Sequence, residues 1–431
     1  MENHANNTII KTAKNFHMRI AIIGAGAAGL TVAETLKEKG YTHVTIFEKN
    51  AFAGGKCSSV DIDGHIYELG AGIIEEQNKT VIRLAKKYQV DMRAVQFGKS
   101  IAVDSLTGKE LKHRTWKQTI ILLWQILVRY RKLCSRFQYI SKPGFSSQDA
   151  DLALPFSVFA KKYNIEACAY ELSLFFTGFG YGYFDDTPTA YVLKYYSWNT
   201  LKSFVKRRMF QFPHGIQHIW TTVASHHDVV YQSDIKHIKR TQNTVEICFN
   251  SDDVKNKIET FDALIVTSAF DELSKFLDVS EQEKILSSHI EYVDYRTIAC
   301  SLKNFSKTTG YVPGNFTASR AGHPVFWYHR HHDTDIYTFY VLGDWHISDE
   351  DVIKNIKSFV GKQNAYIQDV YSISHWKYFP HVYSNNIQQG FFEQLTALQG
   401  NKQTYYAGEL FNFSTVGLTS QYAEYMVQTY F

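Results

Sequence analysis

Residues 18–40 read MRIAIIGAGAAGLTVAETLKEKG, and no other stretch limits the possible folds as strongly. Arg19 to Ile23 is a short β-branched run, the pattern of a buried parallel strand. Gly24, Gly26 and Gly29 match G-x-G-x-x-G, with Ala27 and Ala28 between the last two, and a helical pattern runs on to a capping Gly40. In such a motif Gly24 permits the tight turn, Gly26 lets the backbone approach a pyrophosphate, and Gly29 allows close helix–strand packing. The helix start offers unpaired N–H groups and partial positive charge to the phosphates. A second strand, His43–Phe47, ends in Glu48, nineteen residues after Gly29, followed by Lys49. That carboxylate is placed for an adenosine ribose, and no arginine follows to hold a 2′-phosphate. Strand, glycines, helix, strand and acid in this order predict a dinucleotide site.

A chain of 431 residues exceeds one simple core, so two or three domains are expected. Hydrophobic content of 45% and charge of 20% place it among folded proteins. A scattered net charge of +4 argues against nucleic acid as a partner. The five cysteines (Cys57, Cys134, Cys168, Cys248, Cys300) are odd in number, widely spaced and free of C-x-x-C pairs, which fits a reduced cytoplasm. Residues 1–17 form a polar N-terminal extension without a signal-peptide core. The apolar run TIILLWQILV at 119–128 is too short for a span, which needs roughly 20 residues. A buried helix is the preferred reading. The alternative is a helix resting on a lipid surface, with peripheral membrane contact through 116–132, because Lys112, Arg114 and Lys117 precede the run and Arg129, Arg131 and Lys132 follow it.

Beyond Glu48 lie Gly54, Gly55 and Lys56, then YELGAGI with Gly70, Ala71 and Gly72. This arrangement resembles the flavoprotein superfamily of amine oxidases and phytoene desaturases. The resemblance implies FAD, with the first glycine pair beside ribityl and pyrophosphate and the later glycines near the flavin ring. It further implies that TFDALIVTSAF (260–270) returns to the same sheet and that VVYQSDIKHIKR is one strand whose backbone near Ile235 meets adenine. TYYAGEL (404–410) resembles the superfamily's last FAD motif, with Gly408 in contact and Glu409 on a ribityl hydroxyl. A helix starting within 415–420 then aims its positive end at the flavin. No cysteine stands in that motif, so covalent attachment there is not expected.

The expected class is α/β: a Rossmann-like FAD-binding domain from 18–85, 205–275 and 398–431, with a helical substrate or tunnel domain (86–204) and an α+β substrate domain (276–397) inserted. LPFSVFAKKYNIEA, FFTGFGYGYFDDTPTAYVLKYYSW, HWKYFPHV and QTYYAGEL resemble the flavin-dependent polyunsaturated fatty acid isomerases of linoleate isomerase type, from about Met18 to Phe431. That family implies a free polyunsaturated acid such as linoleic acid as substrate. Its FAD takes a hydride from the carbon between two cis double bonds and returns it at another carbon, leaving a conjugated diene. A doubly allylic C–H is weak and the resulting cation delocalised, so placement in a dry site matters more than a strong base. Aromatic faces stabilise such a cation. Phe179 is expected to wall the tunnel. Were FFTGFGYGYFDD a strand, Gly178, Gly180 and Gly182 would share one face, open to close approach by flavin or acyl chain.

By resemblance Phe204 stands near the tunnel mouth, Tyr378 and Phe379 face the flavin, and Lys99 (with Arg93 as fallback) meets the substrate carboxylate. The family has an arginine in the segment matching 93–100, and a lysine cannot grip a carboxylate bidentately. The glycine–small–tyrosine pattern of amine oxidases is missing, which argues against their paired aromatic cage. His329, His331, His332 and Asp333 in WYHRHHDTD are read as a polar turn and no metal is assigned. Two alternatives stay open: an oxidase or desaturase of the same superfamily, and a flavin-binding module without catalysis.

Overall fold

Ile20, Ala21 and Ile22 are wholly buried because strand β1 (Arg19–Ile23) has parallel neighbours on both sides. The computed structural model describes residues 16–95, 98–145, 149–252 and 254–431, so most of the polar extension lies outside the described residues. With β2 (His43–Phe47), β3 (Asp228–Val230), β4 (Ala263–Val266) and β5 (Thr404–Tyr406), β1 forms a parallel sheet of order β5-β4-β1-β2-β3. Helix α1 (Ala27–Glu38) follows β1 directly and packs on the C-terminal helix Val416–Tyr430. The sheet therefore draws strands from the start, middle and end of the chain.

A six-stranded sheet forms the second layer, in the order Tyr366–His381, Glu291–Lys303, Ile336–Leu342, Pro324–Tyr328, Thr309–Tyr311 and Ser100–Ala102. The last strand comes from the segment before the helices, so the two insertions share a sheet. Helix Asp349–Gly361 covers one face through Val352, Ile356, Phe359 and Val360. The other face turns toward the helical insertion.

Three local expectations need correction. VVYQSDIKHIKR is not one strand: it breaks between β3 and Asp234–Arg240 because Gln232 N–H donates to the Asn50 carbonyl and Ser233 N–H to that of Glu48, turning the chain across the end of β2. FFTGFGYGYFDD is not a strand either. Phe175 to Gly178 end the helix Glu166–Gly178, and Gly180 and Gly182 then take φ of +88° and +85°. A Cβ on Gly180 would lie 2.8 Å from the ring of Tyr295, and one on Gly178 would lie 3.3 Å from that of Tyr311. The flat objects approaching these glycines are tyrosines of the six-stranded sheet.

The third correction concerns 119–128. A continuous helical rod runs through Trp116–Trp124, a π-helical stretch Gln125–Tyr130 and Arg131–Arg136. Its buried side is carried by Leu122, Gln125, Tyr130 and Leu133, while Ile120, Ile121, Leu123, Trp124, Leu127 and Val128 are exposed. The run is not core: one side is covered and the other lies on the surface. Among the described residues no helix is long and apolar enough to cross a membrane.

Candidate active site

The dinucleotide loop is fastened before any ligand is considered. Gly24 N–H donates to the Phe47 carbonyl and Gly54 N–H to that of Ala25, drawing the Gly54–Gly55 turn beside Gly26. Glu48 is buried; its Oε2 accepts from Ala25 N–H at 2.8 Å and its Oε1 from Asn50 N–H at 2.9 Å. The motif glycines divide by what surrounds them. A Cβ on Gly29 would sit 1.9 Å from the Gly24 carbonyl oxygen, whereas one on Gly26 would make only an ordinary 3.7 Å contact with Gly55. Gly29 serves helix–strand packing. The protein itself does not require a glycine at 26.

One continuous cavity of about 1050 Å³ starts at this loop. Gly24, Gly26, Ala27, Ala28, Glu48, Lys49, Gly54, Gly55, Lys56, Gly70, Ala71, Gly72, Ile235, Gly408 and Glu409 line it, so the structure brings together every residue expected on the cofactor side except the packing Gly29. Lys56 Nζ pairs with Glu409 Oε1 at 2.8 Å. Ser233 Oγ, Glu409 Oε2 and Ser414 Oγ line the same cavity, buried and without a hydrogen-bond partner within the protein. Buried polar atoms of this kind call for a polar ligand. Two helix starts also open onto it, α1 at Ala27 and the C-terminal helix at Val416, whose cap Thr415 accepts from Leu418 N–H. Glycine cradle, buried acid at the end of β2, orphaned polar atoms and two positive helix ends fit a dinucleotide cofactor.

The far end of the cavity is aromatic, and strand register explains why. Phe326 lies opposite Tyr340, which is two places along from the residue facing Tyr295; Tyr378 is likewise two places from the partner of Tyr295. Period-two alternation thus sets Phe326, Tyr340, Tyr295 and Tyr378 on one face across four strands. Ring centroids step 5.1, 6.0 and 5.3 Å along this row. Opposite it stand Phe179, 5.6 Å from Phe326, and Tyr181, 5.6 Å from Tyr378; Phe175 contacts Phe204 at 5.0 Å. Phe179, Phe204 and Tyr378 all line the cavity. Tyr378 stacks on Tyr295 at 21°, so these two rings close against each other instead of flanking an open slot.

Burial pushes the phenols of Tyr181, Tyr295, Tyr340 and Tyr378 upward, leaving them neutral at ordinary pH. Two buried acids also line the cavity: Glu68, which stands in the YELGAGI patch of the sequence, and Glu75, which sequence reasoning missed. Burial raises the carboxyl of Glu75, which Asn78 hydrogen-bonds, and that of Glu68, which Arg330 Nη1 meets at 2.9 Å. The pairing of Glu68 with Arg330 had no local signal, since the two meet only through the fold. Lys99 lies apart from the cavity lining between Gly98 and Ser100, is exposed, and sits 3.6 Å from Glu110; Arg93 is exposed beside Asp91. Neither is drawn into the cavity. Of the residues in WYHRHHDTD, His331 and Asp333 meet His65 from a distant hairpin, with one ligand atom of each within 4.8 Å. His331 Nε2 is engaged by the Ile66 carbonyl and His65 Nε2 by Asp333. His329 is buried against Tyr337 and bonded to the Thr334 carbonyl.

The comparisons with known proteins agree with this geometry. The crystal structure of a CLA-producing fatty acid isomerase from P. acnes superposes with a TM-score of 0.89 at 28% identity, covering 97% of this chain and 100% of that one. Putrescine oxidase shares the fold, with a TM-score of 0.73 at 12% identity over 96% of this chain and 98% of the other. Among curated sequences, a 1-hydroxycarotenoid 3,4-desaturase of Flavobacterium is 48% identical over 52 residues, 12% of this chain and only 10% of the relative. The FAD-dependent oxidoreductase oblC of Cochliobolus heterostrophus is 22% identical over 90% of this chain and 86% of its own. Residues 27–409 match the family of flavin containing amine oxidoreductases, and the chain belongs to that family, with FAD as its cofactor.

Proposed function

We propose that this enzyme is an FAD-dependent isomerase of a free polyunsaturated fatty acid such as linoleic acid, shifting one double bond to leave a conjugated diene. The observation that carries the reading is the aromatic end of the cavity, where two opposed rows of rings share one space with the dinucleotide loop. Bound FAD supplies the capacity to accept a hydride and give it back. Gly26, Glu48, Lys56 and Glu409 would hold it. Phe179 and Phe204 orient the acyl chain and exclude water, and the neutral tyrosines present π-faces to positive charge developing on that chain. Full-length similarity to a CLA-producing isomerase supports the same reading.

The desaturase and oxidoreductase names among the sequence relatives favour a second reading, net oxidation with electrons passed to an acceptor. Anaerobic incubation of the FAD-loaded enzyme with linoleic acid separates the two. Many turnovers, seen as conjugated-diene absorbance and gas-chromatographic product, are expected. Turnover that stops at one equivalent of flavin would replace the isomerase reading with the oxidative one.

A further inference from the structure

The rod over 116–136 has a fixed start, where Thr115 and Gln118 form a reciprocal capping box. Its outer face is apolar at helical spacing. Trp116, Ile120, Leu123 and Leu127 fall on one stripe, Ile121, Trp124 and Val128 on the next, and their exposures run from 46% to 69%. Single exposed apolar residues are ordinary; seven within thirteen positions form a contiguous patch that needs a partner.

Charge identifies that partner. No aspartate or glutamate occurs between Glu110 and Asp149, whereas Lys112, Arg114, Lys117, Arg129, Arg131, Lys132, Arg136 and Lys142 do. Arg114 and Arg136 are paired with Glu171 and Asp149, but Lys112, Lys117, Arg131 and Lys132 stand exposed around the patch. The guanidinium of Arg129 lies 4.1 Å from the Trp124 ring centre. An apolar stripe bearing tryptophans and rimmed by one sign of charge matches an anionic lipid interface, where such helices lie with their apolar face roughly 5–10 Å into the headgroup boundary. The inner side of the same rod faces the cavity layer: Gln125 accepts from Cys168 N–H at 2.9 Å, at the start of the helix that carries Phe175.

We propose that the exposed face of 116–128 docks the protein onto an anionic membrane surface, next to the aromatic end of the cavity. This docking stands whichever reaction the cavity performs.

The test is sedimentation of the FAD-loaded protein with phosphatidylcholine vesicles, with and without phosphatidylglycerol. Binding at least tenfold stronger to the anionic vesicles, weakening with salt, is expected, and an Ile120→Glu/Leu127→Glu variant should lose it with flavin content unchanged. Independently, brominated lipids should quench wild-type tryptophan fluorescence, and Trp116→Phe/Trp124→Phe should remove that quenching. Failure of the wild type to sediment with anionic vesicles or to be quenched would overturn the proposal. So would a dimer that the Ile120→Glu/Leu127→Glu change splits in the absence of lipid, since the face would then belong to a second copy.

Discussion

Lys56 Nζ lies 2.8 Å from Glu409 Oε1, joining the glycine turn near the start of the chain to the acid near its end. The second oxygen of Glu409 is buried without a partner, which leaves it ready for a hydroxyl donor. Glu409→Gln keeps the shape and removes the charge. We expect FAD affinity to fall about tenfold, or ~1.4 kcal/mol, measured by flavin retained on ultrafiltration. Unchanged retention would take Glu409 out of the cofactor site.

Gly26 and Gly29 should respond differently to added bulk. Gly26→Val leaves room for the first carbon, so the protein should fold yet emerge colourless, its side chain standing where the pyrophosphate approaches. Gly29→Ala drives a methyl into the Gly24 carbonyl and should destabilise the fold by roughly 1–3 kcal/mol or more. Circular dichroism melts combined with flavin absorbance separate the two outcomes.

Phe179 packs edge-on against Phe326 where the helical insertion meets the sheet. Phe179→Ala should reduce kcat/KM on linoleic acid by about tenfold, the scale of one lost apolar contact in a pocket, while flavin content stays near wild type. Steady-state kinetics beside a flavin-to-protein ratio would show this. Equal loss of both would make Phe179 a structural residue only.

The acid limb of stability has a specific origin. Burial works against ionisation of Glu34, but hydrogen bonds from His227, Lys87 and Tyr88 outweigh it and hold the carboxyl down to about 2. A folded-state value below the ordinary 4.5 means that the stabilisation is complete above pH 4.5 and drains away as pH falls toward 2. Glu34→Gln should cost about 1–3 kcal/mol at neutral pH and flatten the fall in melting temperature through that window. Part of the slope should survive, because Glu283, buried but gripped by Arg240 and Tyr406, is also held near 2.

The nucleotide half was legible because its rules are local. A turn needs glycine at fixed offsets, a buried parallel strand needs a β-branched run, and an acid must close the second strand; Gly24, Gly26 and Glu48 follow from that grammar, whereas the helix after Thr415 was expected only from the resemblance of TYYAGEL to a known FAD motif. The substrate half obeys pairing across the sheet instead. Nothing near Tyr295 in the sequence announces Tyr340 or Tyr378, since only the register of three strands sets their rings on one face. For the same reason Gly178 and Gly180 of FFTGFGYGYFDD could be read as unusual but not explained, until Tyr311 and Tyr295 were seen lying against them. Hydrophobicity alone placed 119–128 in the interior. Whether an apolar helix is covered depends on what the rest of the chain packs over it, and here the fold covers one side and leaves the other bare.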